Sequence, residues 1–226
     1  PRKNIRKYRG YPLIQYSIDT ALNAKQITRT VVSTDCPDIR KISLESGAEA
    51  PFLRPKVISG DYSLDIECFQ HYISWLKSNK QDIPDTIVHL RPTYPERCPL
   101  LVNQCINTFM KNKNYDSLRT VVPVEKTPFK MYTISDTRLN PLFSTYHDMK
   151  EPYHQVRQVL PKSYLQNGCV DIVKTSVIME GSMTGTKIYP YIMDRQDTLD
   201  IDTMKDWERS LEWKSHKRRV RNTNTI

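Results

Sequence analysis

The sequence predicts an α/β domain with a mostly parallel sheet, and three observations support this fold class. Short β-branched runs alternate with amphipathic stretches of helical length, which is the pattern of βαβ units. Two of the runs end in polar loops, as buried parallel strands do at the sheet edge that binds ligands. Apolar residues form 38% of the 226 residues, which suffices for a core and excludes a disordered chain.

The elements follow one another in the order that this fold class requires. Residues 12–24 place apolar side chains at helical spacing, and residues 38–47 form a shorter second helix. Between them, residues 30–35 form the first predicted strand. The remaining predicted elements are helices at about 63–78, 99–111 and 203–213 and strands at 86–90, 118–124, 169–173 and 187–193.

Residues 125–168 interrupt this alternation. They contain many Pro, Tyr and polar residues, which predicts an inserted hairpin or flap in place of another crossover unit. We therefore expect one domain over residues 1–213. Residues 214–226 form a basic tail without apolar periodicity, which we expect to fray.

The net charge of +9 comes from the two ends of the sequence. Residues 1–9 and 214–226 hold ten Lys and Arg and no acid, so residues 10–213 carry a net charge of −1. A nucleic-acid partner needs a basic face on the folded body and is therefore not expected. No run approaches the ~18–20 apolar residues of a membrane span. The five cysteines lack C-x-x-C spacing and indicate reduced thiols, so a cytoplasmic protein without a membrane partner is expected.

Asp200 and Asp202 are the strongest local signal for chemistry. In an extended segment both side chains point the same way, with Ile201 facing the core. Paired carboxylates suit a Mg²⁺ ion that is shared with substrate phosphates. The alternative is a helix N-cap, in which Asp202 or Thr203 caps the helix that follows. The spacing leaves both alternatives open.

Polar loops supply the other candidate positions. Arg54 precedes Pro55 and a polar turn that leads into a helix, which is typical of an anion-binding or base-recognition loop or of an ordinary capped turn. Arg91 follows a predicted strand, where α/β sheets bind ligands, although an exposed charged loop is equally compatible. No P-loop, G-x-G pair or Ser-His-Asp order is present. A further polar stretch that could bind a carboxylate or sugar hydroxyls contains His154, Arg157, Gln158, Asn167 and Gly168.

Several short motifs occur in a fixed order along the chain. They are PRKNI at 1–5, GYPLI at 10–14, VVSTD at 31–35, GAE at 47–49, PFLRP at 51–55, LRPT at 90–93, VPVE at 122–125, QNG at 166–168 and DIDT at 200–203. This ordered set resembles the acylneuraminate cytidylyltransferases, the CMP-sialic acid synthetase group, from residue 1 to about residue 213.

The resemblance implies a fold and a reaction. The fold would be a three-layer, Rossmann-like nucleotidyltransferase whose small inserted flap helps to form a homodimer. The reaction would transfer CMP from CTP to the anomeric hydroxyl of a sialic-acid-like nonulosonic acid, with Mg²⁺ as cofactor and pyrophosphate as product. The alternatives are transfer to 3-deoxy-manno-octulosonate and, outside the enzymes, a catalytically inactive relative that acts as a binding module.

The resemblance also implies roles for individual residues by their position in the motifs. Asp200 and Asp202 match the metal-binding carboxylates, and Lys130 matches a basic catalytic residue that faces the sugar acid and the phosphates. The matching nucleotide-site residues are Lys3, Asn4, Arg54, Asp61 and Arg91, and the matching sugar-site residues are Arg157, Gln158, Gln166, Asn167 and Gly168.

Three departures from the family pattern bear on these roles. Relatives carry a strand and a basic, glycine-containing loop directly before the PRKNI motif, so we expect the sequence to be a fragment that begins after them. Leu165 stands where many relatives have Arg, and Arg91 stands where many have Gln. The resemblance therefore does not specify which sugar acid is used.

Overall fold

The computed structural model describes residues 2–194 and 199–212. The predicted tail at 214–226 lies outside these residues. The helices are α1 (Leu13–Leu22), α2 (Pro37–Glu45), α3 (Asp65–Ser78), α4 (Pro99–Lys111), α5 (Thr175–Met179) and α6 (Met204–Glu212). The strands are β1 (Lys7–Tyr8), β2 (Tyr11–Pro12), β3 (Thr86–His89), β4 (Ser117–Pro123), β5 (Tyr132–Ser135), β6 (Arg138–Pro141), β7 (Thr145–Tyr146), β8 (Met149–Lys150), β9 (Tyr164–Lys174) and β10 (Ile188–Ile192).

The predicted helices are confirmed, with ends that differ by at most two residues where the structure describes them. Pro37 and Pro99 stand in the first turn of α2 and α4. Proline is favoured there because its fixed φ suits the helix and its missing N–H would have no partner in the first turn. Trp213, at the predicted end of α6, lies outside the described residues.

The central sheet has four strands in the order β10-β4-β9-β3. β10 pairs with β4 in parallel, whereas β9 is antiparallel to both β4 and β3. The prediction of a mostly parallel sheet is therefore wrong in this respect, and the sheet is mixed. The cause is the insertion: β4 ends at Pro123, which pairs with Tyr164 at the start of β9. The chain thus leaves β4 and enters β9 at the same end of the strands, so β9 must run antiparallel to β4.

The strand predicted at residues 30–35 does not join this sheet. Its backbone makes one parallel bridge, between Val31 and Glu49, with hydrogen bonds from Val32 N to Glu49 O and from Glu49 N to Thr30 O. A groove of about 1090 Å³ lies between residues 26–32 and β3. The groove separates residues 26–32 from β3, and no ladder joins the two, although the composition of residues 30–35 is that of a buried strand.

Helices cover both faces of the sheet, which confirms the predicted three layers. On one face, Val102 and Phe109 of α4 pack with Leu118 and Ile172 of the sheet. On the other face, α3 and α5 pack against β9 around Val173. Burial of each such side chain contributes roughly 1.5–3 kcal/mol, so the two clusters fix the position of the strand ends.

The inserted segment contains two hairpins, β5–β6 and β7–β8, and several 3-10 turns. Phe129 is buried and contacts the rings of Phe143 and Tyr146. These rings form a small core of the segment's own. The prediction of an inserted hairpin is confirmed, and residues 164–168 belong to β9.

The last described helix packs against the first described residues. Trp207 of α6 is buried with Tyr8, Leu13 and Ile201, and the guanidinium of Arg6 lies 4.8 Å from the centre of the Trp207 ring. The hydroxyl of Tyr8 also donates to the carbonyl of Ser210. This packing brings both ends of the described chain to one place. No helix among the described residues is long and apolar enough to cross a membrane.

Candidate active site

Lys3 and Asp202 meet although 199 positions separate them in the sequence. The Lys3 ammonium donates to the carbonyl of Ile201 at 2.9 Å and to Asp202 Oδ1 at 3.2 Å. The structure thus brings together a residue matched to the nucleotide site and a residue matched to the metal site. The Asp202 side chain is 68% exposed, so its second oxygen is accessible from solvent.

Asp200 lies half-buried beside this pair. Burial raises the pKa of its carboxyl above the ordinary value; a hydrogen bond with Thr93 opposes the rise, and the negative charge of Asp202 adds to it. Asp200 Oδ1 is buried and has no hydrogen-bond partner among the described residues. An unpartnered, buried carboxylate oxygen next to a second carboxylate fits a hard divalent cation.

The helix-cap alternative for Asp202 is settled by the neighbouring residues. Thr203 Oγ1 accepts from the backbone N–H of Asp206, and Asp206 Oδ2 accepts from the backbone N–H of Thr203. This reciprocal pair is a capping arrangement at the start of α6. It holds the pKa of Asp206 below its ordinary value through the hydrogen bonds from Thr203. The cap is therefore made by Thr203 and Asp206, and the Asp202 carboxylate is left for Lys3.

Arg54 is held from several sides. Its Nε donates to Ser59 Oγ at 3.0 Å, its Nη1 lies 2.7 Å from Cys68 Sγ, and its Nη2 is 3.9 Å from Asp35 Oδ1. These contacts fix the guanidinium between the polar turn and α3. Asp61 is exposed in the same turn, and Asn4 is half-buried in the 3-10 turn Lys3–Ile5.

Arg91 forms two ion pairs. Its Nη1 lies 2.5 Å from Asp171 Oδ2, and its Nη2 lies 3.0 Å from Asp65 Oδ2. Burial alone would lower the pKa of Arg91, but the hydrogen bonds and charges of the two carboxylates outweigh it and raise the pKa. Arg91 therefore stays charged with both ends of its guanidinium on carboxylates.

The turn that carries Gln166, Asn167 and Gly168 is a bulge in β9. Arg119 of β4 pairs with Asp171, but Val121 pairs with Gln166, so Thr120 alone faces the four residues 167–170. The Thr120 hydroxyl lies 2.7 Å from Asn167 Oδ1 and accepts from Val170 N at 2.9 Å. Asn167 also accepts from Cys169 N. The Asn167 side chain thus stabilises the bulge, and Gly168 takes the left-handed conformation with φ +68°.

Lys130, Arg157 and Gln158 lie in the inserted segment and are exposed. Lys130 ends one 3-10 turn, and Arg157 and Gln158 begin another. No hydrogen bond joins them to Asp200 or Asp202 in the part of the chain that the structure describes. The described contacts thus bring Lys3 to Asp202 and bring Arg91 and Gln166 to Asp171. Arg54 is held separately, by Ser59, Cys68 and Asp35, and Lys130, Arg157 and Gln158 lie on the flap.

Sequence reasoning missed three polar strand residues that support the site: Asp171 and Thr120 are buried, and Arg119 is half-buried. Arg97 is noticeable in the sequence as the second arginine of the loop that carries Arg91, but its burial is not. Arg97 is 3% exposed and donates to the carbonyls of Cys169 and Arg91 and to Ser17 Oγ. Asp171, Arg119 and Thr120 lie within the strands. A charged residue inside an otherwise apolar run, as in CVDIV or LRTVV, is the sequence signal that marks Asp171 and Arg119, because a buried charge needs a partner.

Comparisons with known proteins identify the family to which the chain is similar. A family model described as cytidylyltransferase matches residues 1–171. The post-translational flagellin modification protein B of Campylobacter coli is 29% identical over 91% of this chain and 85% of its own length. A pseudaminic acid cytidylyltransferase of Campylobacter jejuni is 29% identical, covering 92% of this chain and 87% of the relative. A CMP-N,N'-diacetyllegionaminic acid synthase of the same species is 27% identical, covering 91% and 85%.

A solved structure extends the comparison to the fold. The structure of a CMP:2-keto-3-deoxy-manno-octonic acid synthetase complexed with CTP matches with a TM-score of 0.64 at 14% identity. The match covers 93% of this chain and 90% of that chain. At this identity the likeness establishes the fold alone.

Proposed function

The chain belongs to the cytidylyltransferase family, of the CMP-sialic acid synthetase type, and from this premise we propose that it transfers a cytidylyl group from CTP to a nonulosonic acid. The observation that carries the proposal is the meeting of Lys3, Asp200 and Asp202 at one edge of the sheet. A cation and two carboxylates at such an edge suit a nucleoside triphosphate and its metal ion.

The chemistry is an in-line displacement at the α-phosphorus of CTP. The anomeric hydroxyl of the sugar acid attacks, the bond to the β-phosphate breaks, and pyrophosphate leaves. Catalysis of such a step rests on positioning and on neutralisation of charge. We propose that Lys3 exchanges Asp202 for a phosphate oxygen, since its ammonium is already held at this position by the Ile201 carbonyl.

We propose that Asp200 and Asp202 hold Mg²⁺, which when bound neutralises phosphate charge in the displacement. Within residues 2–194 and 199–212, no group of three or more His, Cys, Asp or Glu side chains could hold a metal. A pair of carboxylates is nevertheless the usual protein contribution to a Mg²⁺ ion that keeps water and phosphate ligands. The ring of Trp207 and the cap of α6 keep these carboxylates in place.

The acid substrate is assigned to the flap side of the site. Lys130 and Arg157 offer exposed cations for a carboxylate and for phosphate, and Gln158 and Gln166 offer amides for sugar hydroxyls. Relatives with pseudaminic and legionaminic acid in their names support the nonulosonic class as a whole. The use of CTP is expected to place the reaction in the cytoplasm.

The flap also presents a surface for a second copy of the chain. Ile134 is 76% exposed and Leu139 is 61% exposed on the β5–β6 hairpin. Adjacent apolar side chains that are exposed together mark an interaction surface, and an isologous dimer would cover both copies at once. We therefore propose a homodimer formed through the flap.

The test is release of pyrophosphate with CTP, Mg²⁺ and a panel of acids that includes sialic, legionaminic and pseudaminic acids and 3-deoxy-manno-octulosonate. We expect release with at least one nonulosonic acid and none after chelation of the metal. Asp202→Ala should lower kcat about 10²-fold or more while the melting temperature stays unchanged. Asp82→Ala, at an exposed carboxylate before β3, is the matched control.

Two outcomes would contradict the proposal. Release with 3-deoxy-manno-octulosonate alone would assign the octulosonate reaction instead. If no acid supports release and CTP does not raise the melting temperature, the chain is a binding module and not an enzyme.

A further inference from the structure

Resting on the proposed function, we propose that Arg91 is a positioning residue for the turn Gln166–Gly168 and does not bind the nucleotide. Through its contact with Asp171, the Arg91 side chain holds in place the turn that would bind the sugar acid. The two ends of its guanidinium already lie on the carboxylates of Asp171 and Asp65. A guanidinium held in this way has its planar fork committed to protein carboxylates.

Asp171 is the centre of the arrangement. Its side chain is only 5% exposed, in the middle of β9. Its Oδ2 accepts from Arg91 at 2.5 Å, from Arg119 at 3.0 Å and from Gln166 Nε2 at 3.3 Å. Two guanidinium groups and the two carboxylates of Asp171 and Asp65 balance in charge. Removal of Arg91 would leave the buried carboxylate with one cation, which is costly in a low-dielectric interior.

Arg91 is also fixed through its backbone and its stem. Its carbonyl accepts from Ser17 Oγ at 3.0 Å and from Arg97 Nη2 at 2.9 Å. A Cβ on Gly168 would lie 3.4 Å from Arg91 Nη1 and 3.5 Å from its Cδ. The Arg91 side chain therefore lies flat against the turn. It joins the loop after β3 to α1, to α3 and to the bulge of β9.

The consequence for substrate selection lies in Gln166. Because Gln166 Nε2 donates to Asp171, the amide oxygen faces away from the carboxylate as an acceptor. An acceptor at this point recognises a donor on the sugar acid, either a hydroxyl or an acylamino N–H. The network thus favours acids that carry such a donor, and it leaves CTP binding to other residues.

The experiment measures the KM of each substrate separately. Arg91→Gln and Asp171→Asn are each expected to raise the KM of the sugar acid about tenfold and to leave the KM of CTP within about twofold. Because Arg91 acts through its contact with Asp171, the double variant should be no worse than Asp171→Asn alone, which also weakens the contacts of Asp171 with Arg119 and Gln166. Arg91→Lys keeps the charge and should recover part of the loss.

The matched control breaks an ion pair of the same kind elsewhere. Arg29 donates from both Nε and Nη2 to Glu49 at 2.7 Å, and Arg29→Gln should change neither KM. A second measurement follows amide hydrogen exchange. Arg91→Gln should speed exchange over residues 164–171, and Arg29→Gln should not. Thermal melting of each variant reports whether it is folded.

The inference is overturned if Arg91→Gln raises the KM of CTP while the KM of the acid and the exchange over residues 164–171 stay unchanged. It is also overturned if the effects of Arg91→Gln and Asp171→Asn multiply. If the unaltered protein turns over none of the acids, the proposed function fails. The exchange measurement then still decides whether Arg91 positions the turn.

Discussion

Replacement of Thr120 by Val is expected to destabilise the protein and to weaken binding of the sugar acid together. Valine has the shape of threonine but lacks the hydroxyl. That hydroxyl accepts from Val170 N at 2.9 Å, and its single proton is within reach of Asn167 Oδ1 at 2.7 Å and Val170 O at 3.0 Å. Thr120 and Val170 are both 0% exposed, so water does not replace the lost partner.

The magnitude follows from the groups that lose a partner. A buried N–H left without an acceptor costs about 1–3 kcal/mol. The single hydroxyl proton serves either Val170 O or Asn167 Oδ1, so one acceptor loses its donor, and Asn167 keeps the bond from Cys169 N at 3.1 Å. We therefore expect a loss of about 2–4 kcal/mol in the free energy of unfolding. For a domain of this size that corresponds to a fall of about 4–16 °C in Tm.

Calorimetry and steady-state kinetics check this prediction. The KM of the sugar acid should rise and the KM of CTP should not, because the bulge holds Gln166 and Gly168. Thr133→Val, at an exposed strand position in the flap, is the control and should change stability by less than about 0.5 kcal/mol. A Thr120→Val protein with unchanged Tm and unchanged KM would refute the assignment of the hydroxyl to the bulge.

Three further predictions concern stability. Gly185→Ala should lower the free energy of unfolding in urea by about 2–4 kcal/mol, because φ is +64° and the new Cβ would lie 2.5 Å from Asp116 Cβ. Gly181→Ala has a strained φ but open space around the new Cβ and should cost less. Equal losses for the two variants would contradict the clash. Backbone N–H groups of Lys187 and Thr186 hold the pKa of Asp116 below its ordinary 3.8. The ionised Asp116 carboxylate therefore stabilises the protein above about pH 4, and this contribution is lost as the pH falls further. Asp116→Asn should remove part of the acid-induced drop in Tm, and a drop identical to that of the unaltered protein would contradict this. Trp207→Ala should lower the free energy of unfolding in denaturant by about 3–5 kcal/mol. The control Glu208→Ala, at an exposed position, should lower it by less than about 0.5 kcal/mol. A loss below about 1 kcal/mol for Trp207→Ala would contradict the packing of α6.

The helices and four of the predicted strands were predictable from the sequence because their signals are local. Apolar spacing after Pro12 marked α1, Gly47 marked the end of α2 and Pro99 the start of α4, and β-branched runs marked β3 and β4. The direction of β9 was not predictable in this way, because it depends on where the flap returns the chain. Residues 30–35 show the same limit: their composition predicts a buried strand, but pairing depends on a neighbour that the local pattern does not specify.

The candidate-site residues were likewise predictable only where their sequence signal is local. Asp200 and Asp202 were identified from their spacing, since two carboxylates around one apolar residue already indicate a shared face. Arg91 was noticed in its loop, but its partner Asp171 lies 80 positions further on. No periodicity connects the two. Buried networks of this kind become visible only when the strands that carry them are placed side by side.

The contact between Lys3 and Asp202 has a consequence for how the protein folds during synthesis. A ribosome must deliver nearly the whole described chain before the carboxylates reach the lysine, because 199 positions separate them. Contacts of such long sequence separation carry a large loop-closure cost and form late. We expect the sheet and α4 to be in place first, with the site assembled by the docking of α6. A nascent chain that stops before α6 would then have a folded centre and no capacity for catalysis.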